Sequence, residues 1–221
     1  MEHTVHLWGR VSSLNVRKVM WTAQELGIPF QRTDAGMAFG VTTTPEYLRK
    51  NPNALVPLME DGDCVLWESN VIVRYLCARY GKELALYPDD LPARFDAERW
   101  MDWQQTTFNS AGVQAFAQIV RTAPEARKPA LIQTSVDKTE PLLAMLDKHL
   151  SQRHYLGGDA FGMADIPMGC EMHRWWGMRS SQFDACGVRR QEIQAFPHVQ
   201  RWYGQLQHRP AARGVLDLAL S

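Results

Sequence analysis

The stretch NPNALVPLMEDGDCVLWESN, Asn51 to Asn70, decides the fold. Val56-Pro57 leads into two short apolar runs, Leu58-Met59-Glu60 and Val65-Leu66-Trp67. Between them stands Asp61-Gly62-Asp63, a hairpin turn signal, because glycine tolerates a positive φ. Pro57 has no N–H to give to a sheet ladder, so it belongs at a strand start or an edge. An X-Pro bond carries only a small trans preference, which leaves a cis Val56–Pro57 bond open. A cis bond there would turn the backbone N–H and C=O of Val56 outward, toward a ligand. Glu68-Ser69-Asn70 then begins an apolar-periodic helix that runs to Tyr80. A helix N-terminus presents free N–H groups and a positive dipole end, and Ser69 adds a hydroxyl. Glu68 places a carboxylate beside it. This pair fits a ligand with an amino-acid head group: its carboxylate to Ser69 and the helix end, its ammonium to Glu68. With a backbone edge at Val56, that ligand is a small peptide bound by strand addition.

Outward toward the N-terminus, Val5 to Trp8 reads as a strand. A loop follows over Gly9-Arg10-Val11-Ser12-Ser13-Leu14. Asn15 to Leu26 has helical spacing, with Val16, Val19, Met20, Ala23 and Leu26 on one face. Gly27-Ile28-Pro29 stops it, and Phe30 to Asp34 reads as a second strand. Strand, helix, strand over about thirty residues is a βαβ unit with a right-handed crossover. Ala35 to Thr44 is a loop, and Pro45 to Lys50 a short helix with Thr44 as N-cap and Pro45 at N1. With the Pro57 hairpin and the Glu68 helix, the order is that of a thioredoxin-like α/β domain.

Toward the C-terminus, residues 81–92 form a polar, proline-bearing connector. Beyond it strand signals end. Ala93 to Val120 is a long helical pattern, and Ala123-Pro124-Glu125 opens another that runs in pieces to Leu150. Tyr155-Leu156-Gly157-Gly158 is a break. Met163 to Gly177 and Phe196 to Leu206 are further helices. The domain expectation is therefore 1–80 thioredoxin-like, 81–92 linker, and 93–221 an all-α helical bundle. Asp165 stands three residues after Gly162 at a helix start, so its carboxylate is expected to accept from the Gly162 N–H as a folding element. No His or third carboxylate is spaced to make a metal site with Asp159 and Asp165.

V-P before a hairpin, then W-E-S-N-V-I-V-R-Y-L, resembles the glutathione-binding half of the cytosolic glutathione transferases, most of all the bacterial members with a serine-type loop. Glutathione, a tripeptide with a γ-glutamyl head, has the ligand shape inferred above. Gly162 and Asp165 resemble the capping box of the family's helical domain, with Gly where Ser or Thr is usual. The resemblance implies a thioredoxin-like domain followed by a helical bundle, glutathione as co-substrate, no metal, and a homodimer. Val56, Pro57, Glu68 and Ser69 are then the glutathione-binding residues.

In the family the loop after the first strand faces Pro57 and stabilises the thiolate. Ser13 occupies the position of the catalytic serine in the pattern S-x-N-x-x-K-V, here Ser13-Leu14-Asn15-Val16-Arg17-Lys18-Val19. Ser12 competes for the role and Asn15 is a second donor. A free thiol of pKa about 8.5 is only a few per cent ionised at pH 7, and two units of depression need about 2.7 kcal/mol. A hydroxyl donor and a helix N-terminus each supply on the order of 1 kcal/mol or more. Ser13 is also expected to cap the helix it precedes. The loop has no Cys, which argues against the cysteine-type reductases of the superfamily. Where relatives often place His-Lys or Gln-Lys for the glycine carboxylate, this chain has Thr42 and Thr43. Thr43 is taken as the contact, with Arg10 or Arg49 as the source of charge. Trp103, Thr107, Phe108, Trp175 and Trp176 are expected to line an acceptor pocket between the domains, an adjacent tryptophan pair being unable to bury both rings on one face.

Composition sets outer bounds. The chain has 221 residues, enough for one or two domains. Its 24 basic and 24 acidic side chains balance, so nothing steers it to nucleic acid or an anionic membrane. No apolar run approaches the roughly 18 residues that span a bilayer, and the start M-E-H-T-V-H-L-W is not a secretory signal. Cys64, Cys77, Cys170 and Cys186 show no paired spacing and read as free thiols in a reducing cytoplasm. The expected activity is transfer of glutathione sulfur to a hydrophobic electrophile. The alternatives are a glutathione-dependent disulfide oxidoreductase and a non-catalytic binding protein on the same fold.

Overall fold

The structure is a computed structural model that describes residues 4–220. Of the N-terminal octapeptide read above, Met1–His3 lie outside the described residues. The chain divides after Asp89 into two compact units.

The first unit is built as β1 (Val5–Trp8), α1 (Leu14–Glu25), β2 (Phe30–Thr33), α2 (Pro45–Lys50), β3 (Leu58–Asp61), β4 (Cys64–Trp67) and α3 (Ser69–Tyr80). The sheet order is β2-β1-β3-β4. β1 runs parallel to β2 and antiparallel to β3, and β3 pairs antiparallel with β4, Leu58 opposite Trp67. The βαβ crossover and the proline-led hairpin are thus both present, and Gly62 takes a φ of 62° in the turn. Val5 and Leu7 point to one face, as period two requires. There they meet Val16 and Val19 of α1, Met59 of β3, and Ile72 and Leu76 of α3. Helix α1 is covered on more than its apolar stripe: Arg17, Lys18 and Thr22 are also buried. Thr44 caps α2 as expected, accepting from the Tyr47 N–H at 3.3 Å, while Pro45 fills N1.

The second unit is helical: α4 (Leu91–Trp103), α5 (Asn109–Phe116), α6 (Pro129–Leu150), α7 (Asp165–Gly177), α8 (Ser180–Asp184) and α9 (Pro197–Gln207). The expected single helix over 93–120 starts earlier, at Leu91, where the Asp90 carboxylate accepts from the Ala93 N–H at 3.0 Å. It continues through two π-turns, Gln104–Phe108 and Ala117–Arg121. Each inserts one residue into the 3.6 period, so no single apolar stripe runs its length. Ala123-Pro124-Glu125 does not open the next helix. It leads into a 3-10 turn, Pro124–Ala126, and α6 begins at Pro129. Helix α8 was not anticipated, nor was the isolated bridge of Tyr155 with Gly158 in a unit read as free of strand pairing. The Gly162–Asp165 expectation holds: Gly162 N–H donates to Asp165 Oδ2 at 2.9 Å. The same carboxylate accepts from Leu156 N–H at 3.0 Å and Trp202 Nε1–H at 2.8 Å.

Among the described residues no helix is long and apolar enough to cross a membrane. All four cysteines are free.

Candidate active site

The first unit brings its sequence-distant polar residues to the starts of α1 and α3. Ser13 stands at the N-cap position of α1 with φ −79° and ψ 122°. It is 8% exposed. Its carbonyl accepts from the Arg17 N–H at 3.0 Å, but its side chain makes no capping bond. The expectation that the hydroxyl caps the helix is therefore corrected: the hydroxyl is left for other use. The loop leading to it is held by Arg17, whose Nε donates to the Val11 carbonyl at 2.8 Å. Ser12 is half-buried. No acidic residue lies in the first turn of α1, so its positive end is undiminished from within the helix.

Helix α3 starts at Ser69 rather than Glu68, which is its N-cap residue. Glu68 holds a φ of 71° and a ψ of 107° without a side-chain capping bond. A positive φ is uncommon for a residue with a Cβ, and here it falls on the residue expected to meet the head-group ammonium. Ser69 is buried, and its hydroxyl donates to Asn15 Oδ1 at 3.2 Å. Asn15 therefore acts as an acceptor toward Ser69, and its amide NH2 is the part that remains a donor. Beneath both lies Lys18, fully buried. Its ammonium donates to Asn70 Oδ1 at 3.2 Å and, at the long limit of 3.5 Å, to Ser69 Oγ. One lysine thus ties the start of α1 to the start of α3.

The third side of the site is the segment before β3. Val56–Pro57 is cis. Gly9 lies against it: a Cβ on Gly9 would meet Val56 Cβ at 3.2 Å and Val16 Cγ2 at 2.4 Å, and Gly9 has a φ of 151°. Only glycine lets the loop after β1 cross so near Val56. Thr43 is exposed and Thr42 buried. Arg49 is exposed on α2, whereas Arg10 lies half-buried against Gly36, 2.9 Å from where a Cβ would stand. At the end of α2, Lys50 pairs with Glu60 at 2.9 Å, and Trp8 Nε1–H donates to the same carboxylate at 2.6 Å. Burial pushes the Glu60 carboxyl up, but the hydrogen bond and charge of the Lys50 ammonium and the hydrogen bond from the neutral Trp8 N–H together hold it below its ordinary value.

The expected acceptor lining separates by burial. Phe108 is 0% and Trp175 2% exposed, so both are core of the helical unit, not lining. Trp175 packs on Gly112 and Phe183. Trp176 is half-buried, and the Arg190 guanidinium lies over both rings of the pair, 5.7 Å and 4.9 Å from their centroids. Arg190 resolves the packing problem of adjacent tryptophans by covering them with a cation. Trp103 and Thr107 keep partial exposure. Trp103 also lines a cleft of about 530 Å³ with Trp100, Met145 and His149.

Sequence reasoning gave Lys18 a place in the S-x-N-x-x-K-V pattern but no role, and passed over Tyr47 and Asn51 as site residues. The signal for Lys18 was its spacing: Asn15, Lys18 and Thr22 recur at three and four residues and share a face.

The glutathione S-transferase N-terminal domain family matches residues 3–78, and its C-terminal domain family matches residues 108–210. Glutathione S-transferase GstB of Escherichia coli strain K12 is 38% identical over 219 residues, 98% of this chain and 100% of its own length. Glutathione S-transferase 3 of Zea mays is 30% identical, over 93% of this chain and 90% of its own. The crystal structure of the theta class glutathione S-transferase from Xanthomonas axonopodis pv. citri with glutathione bound is similar with a TM-score of 0.90. It is 40% identical and covers 99% of this chain and 100% of that one.

Proposed function

This chain belongs to the glutathione S-transferase family, and on that premise we propose that it transfers the thiolate sulfur of glutathione to a hydrophobic electrophile, with Ser13 as the thiolate donor. The carrying observation is the buried Ser13 hydroxyl, unspent on capping, at the undiminished positive end of α1. Ser13 O–H donates to the thiolate and the helix end favours its charge. The thiolate attacks the electrophilic carbon, a C–S bond forms, and the leaving group departs with its electron pair. The proton of the thiol goes to solvent when glutathione ionises on binding. Glu68 takes the γ-glutamyl ammonium and Ser69 with the α3 end takes its carboxylate. Val56 pairs with the peptide backbone beside Pro57, and Thr43 is the contact for the glycine carboxylate in this reading. The glutathione-bound relative at 40% identity supports the same co-substrate. Trp103 and Thr107, which keep accessible surface, are the acceptor contacts in this reading. Ser12 and Asn15 are the supporting donors of the loop. A homodimer and a cytoplasmic setting complete the reading, the latter supported by four free thiols.

The test is a calorimetric titration of glutathione into wild type and Ser69→Ala, followed by the ultraviolet absorbance of bound thiolate in wild type and Ser13→Ala. The expected result is binding by wild type, weaker binding by Ser69→Ala, and a thiolate midpoint raised by about one pH unit in Ser13→Ala, the approximate loss of one donor with the helix end still in place. A midpoint that survives Ser13→Ala moves the donor role to Ser12 or Asn15.

A further inference from the structure

We propose that Tyr47 and Asn51 are positioning residues that aim the Val56 N–H at the backbone of glutathione by holding the Leu55 carbonyl from the opposite side. The inference rests on the transferase reading above. Tyr47 lies in α2 and Asn51 ends it. Tyr47 is 3% and Asn51 2% exposed. The Tyr47 hydroxyl donates to the Leu55 carbonyl at 2.6 Å, and Asn51 Nδ2–H donates to the same oxygen at 2.9 Å. Two buried donors fill both lone pairs of one carbonyl and fix its direction, and both come from α2 and its C-cap.

The consequence follows from the peptide plane. Among the described residues the one cis bond is Val56–Pro57, so the Leu55–Val56 peptide is trans. In a trans peptide the C=O and the N–H point to opposite sides of a rigid plane. Fixing the Leu55 oxygen inward therefore fixes the Val56 N–H outward. Among the described residues no group accepts from that N–H. An open N–H beside a strand start is what a peptide ligand adds to. The rest of the segment is arranged for the same end. Asn51 Oδ1 accepts from the Asn53 N–H at 3.1 Å, Ala54 takes a left-handed φ of 56°, and the Leu55 side chain is 65% exposed. The carbonyl of Leu55 is gripped while its side chain is left in solvent. Burial pushes the Tyr47 hydroxyl up to about 12, so it remains a donor across the working range.

The experiment compares wild type, Tyr47→Phe and Asn51→Asp. Tyr47→Phe removes one hydroxyl and no packing. Asn51→Asp keeps the acceptor for Asn53 and sets a carboxylate against the Leu55 oxygen. Each is checked for native circular dichroism, then titrated with glutathione and assayed with an aryl halide over a range of glutathione concentrations. The expected result is a KM and Kd for glutathione raised about three- to tenfold in Tyr47→Phe, the value of one hydrogen bond, and further in Asn51→Asp. The kcat and the pH midpoint of the bound thiolate stay at the wild-type value. Wild-type affinity in a folded Tyr47→Phe, whatever its melting temperature, overturns the inference and leaves a structural role. So does a thiolate midpoint that moves together with affinity, since the loosening would then reach the whole site. If wild type itself does not bind glutathione, the transferase reading falls first and separately.

Discussion

Glu68 is exposed, makes no capping bond, and holds a positive φ at the start of α3. A carboxylate in that state adds little to folding, and in the proposed reading it takes a ligand ammonium. Glu68→Gln is therefore expected to leave the urea midpoint unchanged and weaken glutathione binding about fivefold, the modest value of a solvent-screened charged contact. The discriminating probe is glutathione lacking its α-amino group: wild type and variant bind it alike if Glu68 reads the ammonium. A variant that loses affinity equally for both ligands removes Glu68 from that role. At this scale the sequence was legible where a residue's chemistry faces outward. Glu68 and Val56-Pro57 announce themselves as candidates by type and order. Lys18, Tyr47 and Asn51 do not, because their work is done on other protein atoms. A buried lysine reaching Ser69 and Asn70 across more than fifty residues of sequence leaves no local mark beyond its place in the S-x-N-x-x-K-V pattern, which does not say what it touches.

At the scale of elements, Asp165 joins three pieces of the helical unit: the Tyr155–Gly158 turn through Leu156, the α7 entry through Gly162, and α9 through Trp202. It is fully buried, and burial pushes its pKa up to about 6 against the pull of those three donors. A folded-state value raised above the unfolded one means that folding favours the protonated acid. The stability it contributes is present in full below about pH 4 and is lost as pH rises through about 6. Urea unfolding of wild type minus Asp165→Asn should therefore decline across that window and flatten above it. A difference that rises with pH contradicts the assignment. Asp165→Ala, which leaves three donors without their acceptor, is expected to cost on the order of 3 kcal/mol or more. This element was legible because an acid three residues after a helix-entry residue is a local pattern. The two π-turns and the late start of α6 were not. A one-residue insertion leaves composition and apolar content unchanged while rotating the face beyond it, and the apolar positions at Trp100, Phe108 and Phe116 still read as one helix.

For the whole molecule, the division after Asp89 separates the elements that hold the candidate glutathione contacts from those that hold the candidate acceptor contacts. The change from alternating strand and helix signals to helical signals alone made that legible. The cysteines carry the remaining consequence. Cys77 and Cys170 are buried, and Cys64 and Cys186 half-buried. Burial first, and the charge of Glu25 second, push the Cys77 thiol up to about 12. None stands among Ser12, Ser13, Asn15 and Glu68. A thiol pushed that high has almost no thiolate at pH 7, so Cys77 is not a nucleophile, and in the proposed reading the reacting thiolate arrives with glutathione. Labelling with iodoacetamide should accordingly go in two phases under native conditions, Cys64 and Cys186 before Cys77 and Cys170, and reach all four in urea, as read by peptide mass spectrometry. Protein alkylated at Cys64 and Cys186 should keep its kcat and its glutathione KM. Loss of turnover on that modification, with glutathione binding retained, would place a protein thiol in the reaction and turn the chemistry from carbon–sulfur bond formation to disulfide exchange.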